Sequence, residues 1–273
     1  MGRITAAVAL CLIVTAFAAA PASAITFGKP DGNLHPNVGA LLADYDDESP
    51  GLDILCSGTL IAPRVFLTAS HCTAFLESEG IGAHSVWVTF APSFDEDSTS
   101  HAGLFRGTYH THPLYGSGGT SNPFDIAAVV LDNDPGITPA RLPKVRLLAK
   151  LRASGKIYNK TFTAVGYGTV RDDKTGGPHA FSFDGIRRYA LQSFLSLQKA
   201  WLTLNMNPST GNAGTCYGDS GGPHFLGGAN SNRIVSVTIT GDAMCRATDK
   251  TYRLDTPWSR DFLQDFPGVD YPD

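Results

Sequence analysis

The sequence has no surplus of positive charge: 21 Lys and Arg residues stand against 25 Asp and Glu, a net of -4 over 273 residues. Nucleic acid and anionic membrane both call for a basic stripe, so neither is expected as a partner. Long apolar runs are also missing, with one exception near the start. That run, Ala6 to Ala20, falls short of the ~20 residues a membrane-spanning helix needs and is followed by Pro21, Ala22, Ser23 and Ala24. With Arg3 as a short basic start, residues 1–24 read as a secretory signal peptide, and the protein is expected to be secreted, extracellular and free of membrane once it is removed. Cysteine is sparse. Cys11 lies in the signal, which leaves Cys56, Cys72, Cys216 and Cys245, an even number in an oxidising compartment and therefore a disulfide framework with three possible pairings. No Cys-x-x-Cys spacing exists, which argues against zinc, and no other metal or cofactor is expected.

What the chain does contain is a series of short β-rich runs bounded by Gly, Pro, Asn and Asp. They fall at 38–42, 55–60, 65–68, 86–90, 126–131, 161–166, 186–194, 234–240 and 252–254. Helical periodicity is scarce and no repeat is visible, so the class is all-β, with even spacing that favours barrels or sandwiches. One helix is expected at the C-terminus. There Thr256 can cap, Pro257 suits the first helical position, and Trp258, Phe262, Leu263 and Phe266 share a face that would pack on the second half of the molecule.

Three segments carry chemistry. Gly218-Asp219-Ser220-Gly221-Gly222-Pro223 places a serine in a turn whose glycines let backbone approach a reacting carbonyl. Thr68-Ala69-Ser70-His71-Cys72 sets His71, one of eight histidines, between an apolar strand and a cysteine. Asp125 opens the apolar run 126–131. A serine hydroxyl needs a base to become a nucleophile, and the base needs a carboxylate to fix its tautomer, so Ser220, His71 and Asp125 can divide these roles. The glycine-flanked serine also fits the elbow of α/β-hydrolases, but that fold needs a helix after the serine and the histidine far downstream. Here Gly221-Gly222-Pro223 follows and only His224 lies beyond. His110 and His112 lack a third metal ligand and are read as structural.

With these three segments in the order His, Asp, Ser, the chain resembles the chymotrypsin/trypsin-like serine endopeptidases over nearly all of its length after residue 24. The resemblance implies two packed six-stranded antiparallel β-barrels with a C-terminal helix. The N-terminal barrel would lie in 25–140 and carry His71 and Asp125, and the C-terminal barrel in 141–273 and carry Ser220. Residues 133–155 would cross between them. It implies disulfides Cys56–Cys72 and Cys216–Cys245, and an oxyanion hole from the amides of Gly218 and Ser220. A monomer that hydrolyses protein or peptide substrates through an acyl-enzyme is the expected function. A catalytically silent, protease-like binding protein is the alternative, against which all triad members are present.

For the substrate pocket, the resemblance points to Gly214 at the floor, Gly241 on one wall and Lys250 on the other. Gly214 stands where an aspartate would select Lys or Arg, so basic side chains are disfavoured. An inward Lys250 would select acidic side chains, and an outward one would leave medium apolar or aromatic residues. Finally, Ile25-Thr26-Phe27-Gly28 resembles the family's activated N-terminus, which implies that cleavage before Ile25 creates an ammonium that pairs with Asp219.

Overall fold

The computed structural model describes residues 25–45, 50–171 and 181–272, so the segment read as a signal peptide lies outside it. After β1 (Lys29–Pro30), the first barrel is built from β2 (Val38–Ala43), β3 (Asp53–Ala62), β4 (Val65–Thr68), β5 (Val86–Thr89), β6 (Phe105–Thr111) and β7 (Ala127–Leu131). It closes in the order β2-β3-β4-β7-β6-β5, with every pairing antiparallel. The second barrel begins at β8 (Thr161–Gly166) and, after the short pair β9 (Val170–Arg171) and β10 (Phe181–Ser182), continues through β11 (Arg188–Leu197), β12 (Trp201–Asn205), β13 (Pro223–Leu226), β14 (Ile234–Gly241) and β15 (Thr248–Arg253). Its ring runs β8-β11-β12-β15-β14-β13 and closes back on β8, while β1 adds to the outside of β11. The chain's start is thus attached to the second barrel, although the strands that follow it belong to the first.

The two-residue period of a strand explains how the barrels join. On β2, Leu41 and Ala43 point into the first barrel's core with Phe66, Val88 and Val129. Their alternates Val38, Ala40 and Leu42 enter a second cluster that holds Tyr167, Phe225, Val237 and Tyr252 of the second barrel. All six residues of β2 are buried as a result, since a strand covered on both faces has no side left for water. Three α-helices occur among the described residues: α1 (Ser70–Ser78), α2 (Leu147–Ala153) and α3 (Pro257–Leu263). In α3 the Thr256 hydroxyl accepts from the Ser259 amide and Pro257 takes the first turn, as the sequence implies. Its aromatic face does not rest on the second barrel alone, because Phe262 stacks on His112 at 4.5 Å and Phe266 on His110 at 5.4 Å. The helix therefore straps the two barrels, and both histidines are ring partners whose burial holds them below the usual imidazole range.

A buried ionic cluster fixes the other side of the seam. Arg187, fully buried, donates through Nε to Asp31 at 3.0 Å and through Nη1 to the carbonyls of Val38 and Phe90 at 2.8 Å each. His35 holds the second Asp31 oxygen. Burial alone would raise the Asp31 carboxyl, but the hydrogen bond and charge of His35 and the charge of Arg187 outweigh it and hold it below the usual range. Its stabilisation is therefore present above the unfolded value of about 3.9 and is lost as pH falls through the depressed one. Asp31→Asn leaves the guanidinium buried without its counter-charge, which costs about 3 to 5 kcal/mol. Urea unfolding at neutral pH checks this, and an unchanged midpoint would mean the ion cluster contributes nothing.

Candidate active site

His71 is the second residue of α1, where the chain leaves β4. The Cys56–Cys72 disulfide ties that first turn to β3, and the Ser70 hydroxyl donates to the Ile126 carbonyl at 2.7 Å. Asp125 sits immediately before β7, after Phe124 in a left-handed conformation (φ 52°) that costs a non-glycine residue free energy and re-aims the chain. Its buried carboxylate receives two donors from one residue: the His71 backbone amide on Oδ1 at 2.9 Å and the ring Nδ1 on Oδ2 at 3.0 Å. An ionised carboxylate only accepts, so Nδ1 carries the proton and Nε2 is left as the base. About 30% of the His71 side chain is exposed, against 6% for Asp125, so the ring faces the cleft while its partner is behind it.

Ser220 comes from the turn before β13 of the other barrel. The Ser57 amide donates to its carbonyl at 2.9 Å and the Ser57 hydroxyl donates to the Gly218 carbonyl at 3.0 Å. Gly221 is required there, since its φ is +76° and a Cβ would stand 2.2 Å from Thr68 Oγ1 and 2.8 Å from the Ala69 amide. The missing side chain lets the Ser220 turn press against the strand end that delivers His71. Neither the Gly218 nor the Ser220 amide has an acceptor among the described residues. Such free donors are what a developing oxyanion needs. Cys216–Cys245 clamps the turn from the far side, so both expected disulfides are present.

Asp219 is fully buried beneath this turn, and its oxygens accept from the amides of Gly168 at 2.9 Å and Cys216 at 2.8 Å. Burial pushes its carboxyl up to about 7, against the pull of those two amides. The pair expected with Ile25 belongs to a chain that begins there, and the uncleaved chain has no ammonium at that position to form it. Ile25 lies fully buried against Ala190 and Ala213, and with residues 1–24 attached its nitrogen is a peptide amide that carries no charge.

Beside Ser220 lies a cavity of ≈ 270 Å³ lined by Thr215, Tyr217, Thr238, Thr240, Gly241 and Ala243 among others. Gly241 is on its wall as anticipated, but Gly214 and Lys250 do not line it. Gly214 bridges to Thr26 and is backed by Met206 and the Gln192 amide. On β15 the side chains alternate, so Asp249 and Thr251 are buried while Lys250 turns the other way and rests its ammonium 4.2 Å from the centre of the Trp201 ring. Asp249 is held by His224 Nε2 and by Gln192 Nε2, both at 2.8 Å, which gives His224 a structural partner. Sequence reasoning missed the three threonines and Tyr217. Their only signal was position, with Thr238 and Thr240 two apart on one strand and Thr215 and Tyr217 flanking Cys216.

Comparison with known proteins agrees with this fold. The Trypsin family model matches residues 42–260. The chain is 26% identical over 206 residues to Kallikrein-8 of Rattus norvegicus, covering 73% of this chain and 72% of the relative. It is 25% identical over 230 residues to Trypsin of Saccharopolyspora erythraea, covering 80% and 88%. Over 207 residues it is 28% identical to Chymotrypsin of Phaedon cochleariae, covering 72% and 67%. A solved structure of HL collagenase superposes with a TM-score of 0.61 at 18% identity, over 89% of this chain and 98% of that one, a likeness of fold.

Proposed function

The chain belongs to the trypsin family, and from that premise we propose that it is a secreted serine endopeptidase in which His71, Asp125 and Ser220 hydrolyse peptide bonds through an acyl-enzyme. The observation that carries the proposal is the double grip of Asp125 on His71, on Nδ1 and on the backbone amide, because it leaves Nε2 as the only basic site of the ring. His71 Nε2 takes the proton of Ser220 Oγ as the oxygen attacks the substrate carbonyl, and the carbonyl's electron pair moves onto its oxygen. The Gly218 and Ser220 amides receive that oxyanion, then the C–N bond breaks and His71 hands its proton to the leaving amine. A water, deprotonated by His71 in turn, releases the acyl group. The test is covalent: a serine-directed phosphonate is expected to label Ser220 in the active protein and to fail with His71→Ala. Labelling that ignores His71, or that lands on another residue, would overturn the assignment.

The preferred side chain follows from the cavity. Its walls carry hydroxyls, and its one carboxylate, Asp242 at the rim, is already hydrogen-bonded to the amides of Arg246, Ala247 and Thr248. Tyr217 spans the mouth with its hydroxyl on the Ala243 carbonyl at 3.2 Å, which narrows the entrance. Burying an unpaired charge there is costly, so uncharged side chains of middle size are preferred. In a peptide library, kcat/KM for such residues before the scissile bond is expected to exceed that for Glu and Lys by about tenfold or more. Lys250→Met is expected to leave the ranking unchanged, and a shift away from Glu in that variant would return Lys250 to the pocket.

Activation makes a separate prediction. A carboxyl raised to about 7 holds its proton more firmly folded than unfolded, so its contribution to stability is full below about 3.9 and declines as pH rises through about 7. An ammonium freed at Ile25 and brought beside Asp219 would lower that carboxyl again and remove the decline. The form with residues 1–24 attached is therefore expected to lose urea resistance between about pH 4 and about pH 7 relative to the form that begins at Ile25. Parallel curves for the two forms would show that the terminus does not reach Asp219.

A further inference from the structure

On the side of the seam where the crossing segment runs, four pieces of chain meet around a second cavity of ≈ 440 Å³. The end of β3 contributes Ile61 and Ala62, the crossing segment contributes Arg141, Leu142 and Lys144, Arg233 leads into β14, and the tail at 268–272 closes one wall. It shares no lining residue with the cavity beside Ser220.

The charges at this cavity are out of balance. Arg141 and Arg233 lie side by side in a parallel bridge, and Lys144 is close by on the same rim. All three are exposed, and none has an ion pair or side-chain hydrogen bond with any described residue. Asp270 is the single carboxylate among the lining residues. Three cations against one anion is a local excess of two positive charges in a chain whose net charge is -4. Like charges placed alongside each other repel, and an anion bound from outside relieves the repulsion. Beneath the charged rim the floor is apolar, with Ile61, Ala62 and Leu142 buried.

The walls are rigid and their backbone is already occupied. The Ala140 amide donates to the Leu60 carbonyl, the Arg141 amide to Asn232, and the Ile234 amide to the Arg141 carbonyl, at 2.8, 2.8 and 3.1 Å. An extended peptide would find no free strand edge there to pair with. A molecule with an aliphatic body and one anionic head needs no such edge, and a concave apolar space of this size is in the range that holds a single small ligand.

We propose that this cavity is a binding site for a free amphipathic anion of the aliphatic carboxylate class, with its chain on the Ile61 and Leu142 floor and its head between Arg141 and Arg233. The site is independent of the hydrolytic reading, and its test is a binding measurement that needs no turnover. Calorimetric titration of the protein with decanoate is expected to show saturable binding with a dissociation constant near or below about 1 mM. Acetate, which lacks the body, and 1-decanol, which lacks the charge, are each expected to bind at least about tenfold more weakly. The double variant Arg141→Gln, Arg233→Gln is expected to weaken decanoate by about tenfold or more while its urea unfolding midpoint stays at the wild-type value, which shows that the variant is folded. The proposal fails if decanoate gives no saturable heat, if 1-decanol binds equally well, or if the double variant binds decanoate unchanged. It also fails if a hepta-glutamate peptide binds through Arg141 and Arg233 and decanoate does not, a result that would assign the rim to an acidic protein segment.

Discussion

Ser220→Ala is expected to reduce kcat on the order of 10⁶-fold with little change in KM, because the hydroxyl makes a bond only after substrate is seated. His71→Ala is expected to match it, and the double variant to be no worse than either, since a nucleophile without its base and a base without its nucleophile both leave the same residual catalysis from the oxyanion donors. Additive losses would mean that the two residues act separately, and a Ser220→Ala protein with substantial turnover would remove the acyl-enzyme altogether. Single-turnover measurement with an ester substrate separates the acylation step from substrate binding and checks both outcomes.

Asp125→Asn is expected to cost about 10⁴-fold in kcat while stability changes little. The reason lies in the count of donors. Both Asp125 oxygens are needed, one for the His71 amide and one for Nδ1–H. An asparagine offers a single oxygen, and its NH₂ must face one of those two donors. If it faces the ring, the imidazole is driven to carry its proton on Nε2, where it can no longer accept one from Ser220. The measurement is kcat with a chromogenic peptide beside a urea midpoint for the same variant. A large fall in stability would point to a structural role for Asp125, and retention of kcat within about tenfold would mean that its charge and geometry are not what orients the base.

How far the sequence alone carries these expectations depends on where the deciding physics sits. Strands such as β2, β4, β7 and β8 are legible because both faces are covered and their residues are almost all apolar. β6, with the sequence Phe-Arg-Gly-Thr-Tyr-His-Thr, is not, since half of its side chains face outward and its glycine suggests a turn. β12 is hidden by Thr203 and Asn205, β13 by its opening Pro223-His224, and α1 by a face that mixes Cys72, Thr73 and Leu76 with no strong apolar stripe. The three groups of the proposed triad are legible because each is marked by its own neighbours in the chain. The cavity beside Ser220 is not, because its walls come from the end of β14 and the turns around it, and which residues face it depends on how β14 is registered against β15. That register shifts at an irregularity between Thr238 and Thr240, and one residue of slip moves a side chain from one face of a sheet to the other. Lys250 lies on the wrong side of that shift for any reading by counted positions.

The seam between the barrels has a consequence for how the protein ages and fails. His71 and Asp125 are delivered by one barrel and Ser220 by the other, and Ser57 is the stitch that holds the Ser220 turn in place, through its amide and its hydroxyl. Under the proposed mechanism neither barrel holds a complete site, so turnover would measure the alignment of two bodies before it measures the integrity of either. A parting of a fraction of an ångström leaves every strand intact and every spectroscopic signal of folded β-structure unchanged, yet it separates base from nucleophile. Along a gradient of heat or denaturant, the proposed catalysis is then expected to be the earliest casualty, lost while the protein still looks native. The same arithmetic makes that loss reversible, because two bodies that have parted without unfolding have only to meet again.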